Sequence, residues 1–250
     1  MRNKMKILAG LALAAACSIT LAATQQDVEA YQADFNSKVP EKYKFPLTAE
    51  EQKQETADIL AQQTLAALDH PEFVVVVNKA PSSQHASIYI VDGQDALLIG
   101  SARVSTGQAG RKEYYFTPTG LFENKIENGN YRALGTKNEN GIRGIGSKGM
   151  RVYDFGWQAS NAGWGDHFAA QIRLEMHATD PDVLEARLGK PASKGCVRIY
   201  HGMNSFIDEN GVLDRNYDDH GSWVLSKNKK PNPYDGRFML VVEHPAGVNP

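Results

Sequence analysis

The chain is poor in cysteine. Only Cys17 and Cys196 occur among 250 residues. It has no Cys-x-x-Cys pair and no His-Glu-x-x-His segment, so the usual signatures of structural or hydrolytic zinc are missing. Asp166, His167 and Asp180 lie near His177 in the sequence, but no metal-ligand spacing joins them, and no metal is expected. There is no internal repeat, coiled-coil heptad or low-complexity tract. Positive charge is not in excess either. Formal net charge is −2, and it falls to −5 without Arg2, Lys4 and Lys6. That balance argues against a nucleic-acid partner. The longest apolar stretch, Ile7 to Ala16, is followed by Ser18 and Thr20 and makes a poor membrane span.

Residues 1 to 23 read instead as a secretory signal peptide: a basic start, an apolar centre and small residues for cleavage. This places the mature chain in the cell envelope, periplasmic or secreted. Cys17 follows Ala14-Ala15-Ala16, which weakly resembles a lipoprotein site without its usual branched residue. Ordinary cleavage is the favoured reading. Lipidation of Cys17 is the one route to a membrane tether. Cleavage leaves Cys196 without an intramolecular partner. A leftover thiol in an oxidising compartment is reactive, paired between chains, or buried and inert.

Residues 24 to 70 read as an N-terminal helical segment and linker. One short helix is expected near Asp27 to Phe35. A capping box, Thr48-Ala49-Glu50-Glu51, opens a second to about Asp69, with an apolar stripe at Ile59, Leu60, Ala61, Leu65 and Leu68. That helix packs on the main domain or serves a partner. From residue 71 to 250 the pattern turns to strands. Phe73–Asn78, Ser87–Asp92 and Ala96–Val104 are three in succession, the last two joined by an Asp92-Gly93 turn. Further strands are expected at Leu121–Ile126, Ile172–His177, Val197–Tyr200 and Phe238–Glu243. The fold class is therefore mainly β, a mostly antiparallel sandwich or partial barrel. Residues 127 to 171 show no strong period and read as a long loop, with Gly141 to Gly149 placed to fold over a ligand. Trp157 and Trp164 stand in it, for stacking on sugar or peptide or for core packing.

The chemistry concentrates at the end of the fifth of these strands and in the turn after it. His177 ends a β-rich run, Ile172 to Met176, and Ser193-Lys194-Gly195-Cys196-Val197-Arg198 holds the thiol. Imidazole can take the thiol proton and return it to a leaving group. Gly195 permits a tight turn that would aim its own amide and that of Cys196 at an oxyanion. Ser193 orients that turn or bonds His177. Arg198 offers a fork for a carboxylate, or braces the loop. Lys194 would lower the thiol pKa only if held close.

These residues resemble the L,D-transpeptidase catalytic family, or YkuD type: a His, a spacer, then Ser/Thr-x-Gly-Cys-x-Asn/Arg. Val104-Ser105-Thr106-Gly107 and Thr117-Pro118-Thr119-Gly120 resemble its upstream segments in the right order, and the likeness covers roughly residues 72 to 200. Ala178 departs from the family's usual Gly. The resemblance implies a YkuD-like β-sandwich with Cys196 at the base of a cleft and residues 71 to 250 as the catalytic domain. It implies Cys196 as nucleophile and His177 as base, with Gly195 and Ser193 as loop support and Arg198 near the substrate; Met150 and Tyr153 are candidates for the acceptor side, though residues of their type are more often core. The implied substrate is a peptidoglycan tetrapeptide stem, with roles in cell-wall biogenesis and cell shape. The third residue is held as a thioester and passed to an amine: a second stem, a free D-amino acid or an outer-membrane lipoprotein lysine. No cofactor is required. The alternatives are a Cys-dependent stem-peptide hydrolase and a non-catalytic binder of cell wall or host.

Overall fold

The computed structural model describes residues 22–217 and 223–245. Cys17 and all but the last two residues of the expected leader lie outside the described residues. Among the described residues no helix is long and apolar enough to cross a membrane.

The continuous valine run of β1 (Glu72–Asn78) is buried at every position. A strand that reads as unbroken apolar sequence needs cover on both faces, and here it has both. Its pairing with β2 (His85–Asp92) is antiparallel, and β2 pairs with β3 (Asp95–Arg103) across the expected turn. With β4 (Gly120–Glu123) and β9 (Phe238–Val242) they form a five-stranded sheet ordered β3-β2-β1-β9-β4. A second sheet of four strands runs β5 (Tyr131–Arg132), β6 (Arg151–Asn161), β7 (Ala169–Ala178) and β8 (Val197–Ile199). Phe73, Val75 and Val77 point into the core between the sheets, against Tyr153, Leu174, Met176, Val197 and Ile199. Val74 and Val76 face the other way, against the helices that cover the outer side. The expectation of a mainly β sandwich holds, and two of the strand pairs, β1–β9 and β7–β8, are parallel.

The N-terminal segment is built into this architecture. Helix α1 (Gln25–Lys38) starts at a Thr24/Asp27 capping box and drives Phe35 into the core between the sheets. A Cβ on Gly100 would overlap the Phe35 ring, so the absence of a side chain there makes the socket. Helix α2 (Ala49–Ala61) begins at the expected Thr48/Glu51 box. Gln62 then adopts extended backbone, so the single helix expected to reach Asp69 is broken, and a short α3 (Gln63–Ala66) follows. Ile59 and Leu65 still cover the outer face. Buried Glu55 of α2 ties it to the sheet, accepting from Tyr89 Oη at 2.7 Å and lying 2.8 Å from His85 Nε2. Helix α4 (His201–Glu209), which strand patterning did not reveal, buries Met203, Phe206 and Ile207 beside α1.

The expected loop at 127 to 171 is corrected: it contains β5 and the eleven-residue β6. Register shifts between Asp154 and Trp157, and Gly156 sits there at φ +77. The bulge breaks the alternation that would have marked a strand. It also turns Trp157 outward, opposite Arg173, so this ring is 68% exposed rather than packed in the core. Trp164 instead packs edge-on against Tyr115 and Phe168.

Because Phe35 is shared by helix and sandwich, Phe35→Ala should destabilise the whole domain by about 3–5 kcal/mol. Urea unfolding should show this as one cooperative transition moved to lower denaturant. Unchanged sandwich stability with loss of helix alone would contradict the shared core.

Candidate active site

Strand β7 alternates. Ile172, Leu174 and Met176 enter the core, while Arg173, Glu175 and His177 point to the opposite face. Strand β8 runs parallel to it, with Met176 opposite Val197 and His177 opposite Arg198. Val197 and Ile199 are core residues, which leaves Arg198 on the His177 face. Cys196, immediately before β8, comes beside Glu175; both Glu175 and Arg198 act electrostatically on its thiol. The sequence pairs His177 and Cys196 only through spacing. The parallel ladder is what brings them to one sheet face.

The turn that carries Cys196 is closed by its own side chains. Ser193 Oγ donates to the Cys196 carbonyl at 2.6 Å and accepts from the Gly195 amide at 3.0 Å. Gly195 has φ +126, and a Cβ there would stand 2.8 Å from the Ile172 side chain. Glycine is thus required twice, by conformation and by space. The upstream segments brace the same turn. Thr117 Oγ1 donates to the Gly195 carbonyl at 2.7 Å and accepts from the Gly107 amide at 2.9 Å. The Thr106 carbonyl accepts from the Ala192 and Ser193 amides, and Ser105 exchanges both backbone bonds with Arg198. Gln84 in turn receives the Thr106 amide and hydroxyl. These contacts give the two Thr/Gly segments a physical reason to accompany the cysteine turn.

The expectations for the Gly195 amide and for Tyr153 are revised here, and Ser193 takes one of its two expected roles. The Gly195 amide is already bonded to Ser193 and is not free to meet an oxyanion. Ser193 bonds within the turn and not to His177. Tyr153 is fully buried on the core face, opposite to Cys196, and is closed to any ligand. It follows strand alternation, one position after Val152, which pairs with His177. Met150 is half-buried in the turn before β6. Lys194 is exposed, 3.7 Å from Glu113 and over the Tyr114 ring, facing away from the thiol. Arg198 Nη1 donates to the Ala192 carbonyl at 3.0 Å, which braces the loop, while its buried Nε has no partner. Asp180 holds the Arg143 amide and thereby pins the loop Gly141 to Gly149 next to Ala178. A Cβ on Gly146 would approach the Ala178 methyl to 2.9 Å, so the extra methyl beside the histidine is met by a glycine.

His177 is 3% exposed, and Nδ1 lies 2.6 Å from the Ala178 carbonyl. A carbonyl only accepts, so the neutral ring carries its proton on Nδ1 and presents an unprotonated Nε2. Burial pulls its pKa down to about 4, with the Arg198 charge adding to the effect. The half-buried Cys196 thiol is pushed up to about 11, first by burial and then by the Glu175 charge; a backbone hydrogen bond from Glu175 and the Arg198 charge act the other way. Among the described residues no hydrogen bond joins the sulfur to the imidazole. Both groups are therefore neutral at rest over the physiological range. Glu175 and its partner Tyr131, whose hydroxyl donates at 3.0 Å, were not singled out by the sequence. The alternation that ends in His177 carries that signal, since it puts Glu175 on the same face.

A family model, the L,D-transpeptidase catalytic domain of YkuD type, matches residues 72–207, more than half of the chain. The chain belongs to this family. No curated protein matches it. Among solved structures it is similar to Bd1075 of Bdellovibrio bacteriovorus, at 12% identity and TM-score 0.36, over 69% of this chain and 48% of that one. It is also similar to the helical cell shape determining protein Pgp2 of Campylobacter jejuni, at 14% identity and TM-score 0.32, over the same shares. A fused Zn-dependent amidase/peptidase/peptidoglycan-binding-domain protein of Clostridium acetobutylicum aligns at 11% identity and TM-score 0.31, over 89% of this chain and 98% of that one. The matched region spans about half the length of the first two.

Two titrations follow. Alkylation of Cys196 by iodoacetamide, followed on its own peptide, should be slow at neutral pH and rise toward about pH 11; a midpoint near 8.5 would contradict burial as the cause. The unfolded chain protonates His177 below about pH 6.5, the folded chain only below about 4. Stability at this site is therefore full above 6.5 and lost as pH falls to 4, by ~3 kcal/mol. Urea midpoints of wild type and His177→Gln across that window should differ in slope; parallel curves would contradict it.

Proposed function

We propose that this protein is a cell-envelope cysteine acyltransferase acting on peptidoglycan stem peptides. The observation that carries the reading is the orientation of His177: Nδ1 is anchored on the Ala178 carbonyl, so Nε2 is the free base, on the sheet face where β8 begins from Cys196. A buried neutral imidazole is a competent base for a thiol that is not yet ionised. In the forward half-reaction the Cys196 sulfur attacks the carbonyl of the third residue of a tetrapeptide stem. Its proton passes to His177 Nε2 and on to the leaving D-alanine amine. The acyl group remains as a thioester on Cys196. In the second half-reaction an amine attacks the thioester carbon, and a crosslink between third residues is the product when that amine belongs to another stem. A free D-amino acid or a lipoprotein lysine fits the same chemistry.

Ser193, Gly195, Thr117 and Thr106 position the sulfur in this reading. Arg198 braces the turn through Ala192 and places a fixed positive charge beside it. Secretion through the leader at residues 1 to 23 gives access to the wall, and Cys17 lipidation would hold the protein at the membrane.

Incubation with a purified tetrapeptide muropeptide should yield crosslinked dimers by mass spectrometry. Cys196→Ala should lower turnover on the order of 10⁴-fold or more. Trimmed monomers alone would replace this reading with a stem-peptide hydrolase. A carbapenem should add once per chain, at Cys196; folded protein without an adduct would count against the nucleophile assignment.

A further inference from the structure

Two opposite charges act on the sulfur, and among the described residues neither side chain is in an ion pair, although the Arg173 charge reaches Glu175. The charges of Arg198 and Glu175 act on the thiol in opposite senses, Glu175 raising its pKa and Arg198 lowering it. Glu175 sits on the outer face of β7, two residues before His177 and next to Cys196 across the parallel ladder. Its Oε1 accepts from Tyr131 Oη at 3.0 Å. Among the described residues no ion pair joins it to a cation. Arg173, the nearest positive side chain on its strand, directs its donors to Asp154 and to the Asn128 carbonyl. The carboxylate is half-buried, and burial, with the Asp154 charge adding to it, raises its pKa against the opposing effects of the Tyr131 hydrogen bond and the Arg173 charge. An unpaired carboxylate in such a place costs stability unless a cation arrives to pair with it. A chain using only water as the second substrate would gain nothing from it.

We propose that Glu175, held in place by Tyr131, is the seat of a cationic amine acceptor, so that the thioester is passed to an ammonium-bearing molecule in preference to water. This rests on the acyl-transfer reading above and assigns the residue that receives the amine acceptor of that reading. The ammonium pairs with the Glu175 carboxylate and gives it one proton, which makes the amine a nucleophile. Its nitrogen attacks the thioester carbon; the C–N bond forms and the C–S bond breaks. The second nitrogen proton passes through His177 Nε2 to the departing sulfur. Cys196 is again a neutral thiol, and Glu175 releases its proton to solvent. The same carboxylate gives no advantage to an uncharged nucleophile.

The test uses acyl-enzyme formed from a tetrapeptide stem, partitioned between Nα-acetyl-lysine, whose side chain is an ammonium, and hydroxylamine, which is uncharged near neutral pH. Glu175→Gln should raise the half-saturating concentration of Nα-acetyl-lysine by roughly ten-fold or more. Starting from acyl-enzyme already formed, the ratio of transfer to Nα-acetyl-lysine over transfer to hydroxylamine should fall by about the same factor. Equal loss toward both nucleophiles, or no loss toward the ammonium, overturns the assignment of Glu175 and leaves the acyl-transfer reading standing. Absence of any acyl-enzyme in wild type overturns both. If Glu175→Gln does not fold, Tyr131→Phe takes its place: a weaker shift confined to the ammonium supports the proposal, and none overturns it.

Discussion

One hydroxyl, that of Thr117, holds together the parts on which the site depends. It donates to the Gly195 carbonyl and accepts from the Gly107 amide, so two turns distant in sequence become one braced unit. Ser193 closes the inner side of that unit by bonding both the Gly195 amide and the Cys196 carbonyl. The turn then has few ways to relax, and Cys196 leaves it directly into β8. Since β8 pairs in parallel register with β7, fixing the turn also fixes the sulfur relative to His177. A loop held only by solvent-exposed bonds would not place a nucleophile with this constancy.

Burial is the second constraint, and it acts on charge. His177 and Cys196 are both drawn toward their neutral forms, so a resting thiolate–imidazolium pair is disfavoured. In the proposed reaction the sulfur would lose its proton to the imidazole as it attacks, rather than beforehand. A thiol kept neutral until substrate arrives is less open to adventitious oxidation in an oxidising compartment. The surroundings are not featureless. The charges of Arg198 and Glu175 both act on the sulfur, and they supply the polarity that the hydrophobic core beneath β7 and β8 lacks.

Much of this was legible in the residues. The three leading strands, the α2 capping box and the ordered Thr/Gly segments rest on local patterns, and local patterns survive folding. Strand β6 was hidden because the bulge at Gly156 shifts its alternation midway, which also sends Trp157 outward against its apolar character. Whether Tyr153 lines the ligand side or the core depends on register, since one residue's shift reverses the face, and the sequence alone does not give that register. The Gly195 amide looked available for an oxyanion because the sequence does not say that Ser193 will bend back to take it. Glu175 is one polar position of an alternating strand, where a carboxylate carries meaning only once the neighbouring strand is known. Helix α4 was missed for a related reason: its apolar face is defined by α1 and the sandwich rather than by a cap.

The central claim is a neutral histidine whose proton is on Nδ1, beside a neutral thiol. Nitrogen-15 NMR of the His177 ring at pH 7 tests it most directly. The account predicts an uncharged ring, protonated on Nδ1, with the same pattern in Cys196→Ala. An imidazolium signal at pH 7 that disappears in Cys196→Ala would contradict it, since that would reveal a standing ion pair between the two groups.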